Sequence, residues 1–70
     1  MNTLKFQITQ DYIELIKLLK ATGIAENGGE AKQLVKEGKV FLNNVVEVQM
    51  RKKILKGDSV QIFNHLILVE

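Results

Sequence analysis

Lys32 and Lys36 stand four residues apart, Lys39 follows, and Arg51, Lys52 and Lys53 form an unbroken basic run. Side chains of this kind do one kind of chemistry well. An ammonium or guanidinium that meets a phosphate oxygen displaces condensed counterions, and a polyanion can engage several at once. The net charge is only +2, but it is unevenly distributed. Between Glu30 and Lys56 seven cations face three carboxylates (Glu30, Glu37 and Glu47), an excess of four. Up to Gly29 the charges cancel, and from Gly57 onward only Asp58 and Glu70 are charged. Charge alone supports a phosphate-binding face and a merely solubilising face equally.

Catalytic chemistry has little material to work with. His65 is the only histidine, it falls in an expected turn, and no Cys, Ser or acid is spaced to complete a triad with it. The carboxylates do not pair in apolar surroundings that would drive two of them to different protonation, and Asp11 and Glu14 read as helix-dipole partners. Metal-ligand spacing is absent, and the Gly28-Gly29 pair lacks the lysine and the preceding strand of a phosphate-cradling loop. No enzyme activity, cofactor or metal is expected.

The elements that must position the cations follow from periodicity. Leu4, Phe6 and Ile8 alternate with Lys5 and Gln7 as a half-buried strand does. Thr9 is placed to cap a first helix over about residues 10–21, with Tyr12, Leu15, Ile16 and Leu19 as its apolar stripe, Ile13 and Leu18 widening it, and Gly23 ending it. A second helix is expected over about residues 29–37. Ala31, Leu34 and Val35 supply its apolar face, Lys32 and Lys36 lie on another, and Gly38 is the left-handed residue after its end. This helix is too short to stand alone and must be held by packing.

Val40-Phe41-Leu42 then reads as a strand, Asn43-Asn44 as a tight turn, and Val45, Val46 and Val48 as the return. A basic loop from Gln49 to Lys53 leads to Ile54 and Leu55, which rejoin the core before a Lys56-Gly57-Asp58 turn. Two closing strands, about residues 59–63 and 66–69, are expected to meet across Asn64-His65. Phe6, Tyr12, Phe41 and Phe63 all fall at apolar positions, which favours core packing over base stacking. The fold class is α+β: two short helices packed on a small, mostly antiparallel sheet, as a single domain over residues 1–70. Seventy residues leave room for one thin core and no deep active site. The absence of Cys suits a reducing cytoplasm, and no apolar run approaches the length of a membrane span.

The run from Gly28 to Asn44, GGEAKQLVKEGKVFLNN, followed by Arg51-Lys52-Lys53-Ile54 and Lys56-Gly57-Asp58-Ser59-Val60, resembles the RNA-binding domain of ribosomal protein S-four. More closely it is similar to the small, stand-alone, bacterial YbcJ/YaaA-like group of that superfamily. The similarity covers at least Tyr12 to Phe63. It implies an αL-type fold that presents a basic face to structured RNA, ribosomal or transfer, in ribosome assembly or translation. On that resemblance Lys32, Gln33, Lys36, Lys39, Arg51, Lys52 and Lys53 line the RNA site. Recognition would be of shape more than of sequence, and a turn role is favoured for Asn43 and Asn44 over base contacts. The implied partners are structured RNA, with the ribosome or an RNA-modifying enzyme alongside, and the chain is expected to act as a monomer without a membrane. A rival reading is a protein-interaction or homodimerisation module, with Val40-Phe41-Leu42 or Leu66-Ile67-Leu68-Val69 as an exposed sheet edge.

Overall fold

The computed structural model describes residues 2–70. Its elements run β1 (Asn2–Phe6), β2 (Ile13–Glu14), α1 (Leu15–Ala21), α2 (Gly28–Lys36), β3 (Val40–Leu42), β4 (Val45–Val46), β5 (Lys53–Ile54), β6 (Ser59–Ile62) and β7 (His65–Val69). The main sheet has the order β1-β7-β6-β3-β4, and β2 with β5 makes a separate two-stranded ladder. Among the described residues only β1 and β7 run parallel; every other pairing is antiparallel. Both expected classes, two helices and a mostly antiparallel sheet, are therefore present.

One face of the sheet is apolar because the strand period of two places alternate residues together. Register aligns Leu42, Val60, Ile67 and Leu4 in one row and Val40 with Ile62 in the next. Against this face α1 contributes Leu15, Leu18 and Leu19, and α2 contributes Ala31 and Val35, all fully buried in one cluster with Ile54. Two helices of seven and nine residues would not persist in water on propensity alone, so this packing is what holds them.

The first helix is shorter than its periodicity suggests. The pattern extends back to Gln10, but Ile13 and Glu14 are strand, paired with Ile54 and Lys53, and Glu14 is the extended residue before α1. Thr9 is consequently not its cap. The physical reason is tertiary: the segment after Met50 offers carbonyls that satisfy the first helical N–H groups, so the chain has no need to wind earlier. The Leu15 N–H donates to Lys52 O at 2.9 Å and the Ile16 N–H to Met50 O at 3.2 Å. Tyr12 is thereby left outside the helix and 40% exposed, not in an apolar stripe.

Three further expectations change. The closing hairpin turns at Phe63-Asn64, one residue earlier than expected, so Phe63 leaves the core and His65 begins β7. Leu55 is half exposed, because Ile54 occupies the buried position and the side chains alternate. Neither of the two runs considered as a sheet edge is one: β3 lies between β6 and β4, and β7 between β1 and β6. The free edges are β1 and β4, and β4 offers only two residues, too few for more than a short ladder with another chain. Among the described residues no helix is long and apolar enough to cross a membrane.

Candidate functional site

Four of the seven expected site residues belong to α2 and its exit. The helix starts on Asn27, whose side chain accepts from the Glu30 N–H at 2.8 Å, while the Glu26 N–H donates to the Glu30 carboxylate at 3.3 Å. The Asn-x-x-Glu spacing is a capping-box pattern legible in the sequence, and it marks the N-cap two residues before the Gly29 start expected from the glycines. At the other end Gly38 takes φ +74°, the Gly38 N–H donates to Val35 O and the Lys39 N–H to Leu34 O. These two bonds form a Schellman closure, which fixes the direction in which Lys39 leaves the helix. Burial of Ala31 and Val35 on one side leaves Lys32, Gln33 and Lys36 exposed on the other. Gln33 is engaged already, donating from Nε2 to the Glu37 carboxylate at 3.0 Å.

The remaining three lie in the segment that caps α1. Its carbonyls are used up on the Leu15 and Ile16 N–H groups, and its own turn closes from the Lys52 N–H to Gln49 O at 3.2 Å. The Glu47 carboxylate accepts from the Gln49 N–H at 3.0 Å and steadies the approach. Backbone bonds thus hold the loop while its side chains remain available: Arg51 and Lys53 are exposed and Lys52 is half-buried. Lys53 projects over the Tyr12 ring, with Nζ 4.9 Å from the centroid.

The two groups are linked through α1, which packs on α2 and receives the loop carbonyls at its first turn. Among the described residues the one ion pair joins Lys17 to Glu14 at 3.7 Å, so none of the six cations expected at the site has its charge spent on a carboxylate. The helix face is not purely basic, since Glu30 and Glu37 also lie on it. The asparagines of the β3–β4 turn serve structure: both have positive φ, and the Asn43 side chain is bound to Asp58 and Ser59. Sequence reasoning missed Tyr12. Its spacing of three and four from Leu15 and Ile16 mimics a helical stripe, and no local signal separates the two cases. Among the described residues no group of three His, Asp or Glu side chains is disposed to hold a metal ion.

An S4 domain family model matches residues 6–70. YbcJ of Escherichia coli (strain K12), provisionally named an RNA-binding protein, is 38% identical over 58 residues, which is 83% of each chain. An uncharacterised YbcJ of Shigella flexneri matches to the same extent. The solution structure of E. coli YbcJ, described as containing an αL motif involved in RNA binding, superposes with a TM-score of 0.74 at 34% identity. That superposition covers 99% of this chain and 89% of the other.

Proposed function

The chain belongs to the S4 domain family, and from that premise we propose that it is a non-catalytic RNA-binding protein that recognises structured RNA through a basic face. Lys32, Lys36 and Lys39 from α2 and Arg51, Lys52 and Lys53 from the α1-capping loop make that face, with Gln33 between the helix lysines. The observation that carries the reading is that these cations are free of carboxylate partners while their backbones are locked by caps and turns. Free cations carried on a held backbone suit an array of phosphates, because little loop entropy is lost on binding.

The RNA is ribosomal or transfer RNA in this reading, and the setting is ribosome assembly or translation in the cytoplasm, alone or beside an RNA-modifying enzyme. Backbone and 2′-hydroxyl contacts would dominate, since the strands carry no row of stacking aromatics. Crosslinking in cells followed by sequencing of the attached RNA tests it. Enrichment of stem-loops or junctions from ribosomal or transfer RNA is expected; recovery of no RNA above background, or of unstructured strands only, would overturn it.

A further inference from the structure

The chain between β1 and β2 lines an open groove of about 270 Å³. Phe6, Ile8 and Ile13 give it apolar walls, Tyr12 stands at its side, and Gln10 and Lys17 bring an amide and an ammonium to it. We propose that this groove takes a single unpaired nucleobase of the bound RNA, stacked on the face of Tyr12 that Lys53 does not cover.

Four observations converge on that occupant. The volume lies just below the roughly 300 Å³ at which pockets for larger ligands begin, which leaves room for one planar ring system. Tyr12 is an aromatic ring left 40% exposed beside apolar walls, a surface on which a base face is desolvated on both sides. Cations flank it: Lys53 lies over the ring and Lys17, although 3.7 Å from Glu14, keeps a side chain 68% exposed. A base arriving there would carry its phosphates toward ammonium groups. Lastly, Lys53 opens β5 directly after the loop and is one of the cations assigned above to the RNA backbone, so groove and basic face are continuous through the Lys53–Tyr12 contact. A base in a duplex cannot enter without leaving its stack, so the groove selects bulged or looped nucleotides.

This inference rests on the RNA-binding reading, and the test separates the two. Tyr12 is the only tyrosine and the chain has no tryptophan, so intrinsic emission reports on this one ring. The full chain is titrated with a labelled RNA hairpin bearing one bulged adenosine and with the same hairpin made abasic at that nucleotide. Quenching of tyrosine emission by the bulged hairpin only is expected. Affinity should fall roughly tenfold either on removing the base or in Tyr12→Ala, with no further loss when both are combined. Tyr12→Phe, which keeps the stacking face, should retain most of the affinity. Equal binding of the two hairpins with unchanged emission would overturn the groove assignment and leave RNA binding intact. Failure of the wild-type chain to bind either hairpin would overturn both.

Discussion

Asn43 and Asp58, fifteen positions apart, are joined by a 3.1 Å hydrogen bond from the Asn43 Nδ2 to the Asp58 Oδ1. The same asparagine accepts from the Ser59 N–H at 2.9 Å through Oδ1, and the other Asp58 oxygen accepts from the Leu55 N–H at 2.8 Å. Two turns remote in sequence are thus tied at one end of the sheet, next to the positive-φ residues Asn43, Asn44 and Gly57. Replacing Asn43 by Ala removes these bonds and puts a β-carbon-bearing residue without local hydrogen bonding at φ +50°, so stability should drop by about 2 kcal/mol. Asn43→Gly loses the bonds but not the backbone freedom and should recover part of the difference. Urea denaturation of both variants measures it, and equal stability of the two would show that the φ requirement contributes nothing.

Charge reversal should separate binding from stability. Lys32→Glu and Arg51→Glu alter exposed side chains with no ion pair to break, so each should change stability by no more than about 0.5 kcal/mol. The double variant should bind structured RNA much more weakly, and the slope of log K against log salt should shrink by about two. Filter retention across a salt series reads both. Unaltered retention by the double variant would remove these two residues from the interface.

Gly38 isolates a purely conformational cost. No atom lies within 4 Å of where its β-carbon would be, yet φ is +74°. Gly38→Ala should therefore lower stability by about 1 kcal/mol through backbone strain alone. Gly38→Asn should lose less, because asparagine tolerates the left-handed region. Thermal melts followed by far-ultraviolet circular dichroism would check the order of the three proteins.

Phe63 is the odd residue among the turns. It holds φ +52° with its side chain 59% exposed, at the first of two central turn positions where glycine is usual when φ is positive. Phe63→Asn should raise stability by up to about 1 kcal/mol, since strain is relieved and little burial is lost. A lower denaturation midpoint in this variant would show that the ring packs more firmly than its exposure indicates.

Much of the architecture could be read from the sequence because its signals are local. Alternation at Leu4 and Phe6, the i, i+3, i+4 face of Ala31, Leu34 and Val35, the stop at Gly38 and the Asn43-Asn44 turn each arise from a few neighbouring residues. The start of α1 could not be read, because the choice between helix and strand at Ile13-Glu14 is decided forty residues later by Lys53-Ile54 and by the Met50 and Lys52 carbonyls. The same event sets Tyr12 free, so the groove was hidden for the same reason. The turn at Phe63 was misplaced because a phenylalanine at positive φ contradicts its propensity, and only the β6–β7 register imposes it. The exposure of Lys32, Lys36, Lys39, Arg51 and Lys53 was foreseeable; the half-burial of Lys52 and the Lys53 position over an aromatic ring were not.

The parallel pairing of β1 with β7 has a consequence for biosynthesis. Residues 2–6 find their hydrogen-bonding neighbour only when residues 65–69 have been made, and β7 also separates β1 from every other strand of the sheet. A nascent polypeptide that has reached Asn64 leaves β1 unmatched, because β7 is its one partner in the sheet. Completion of this sheet is thus a long-range event, and until it happens the first strand is open to chaperones and to other chains.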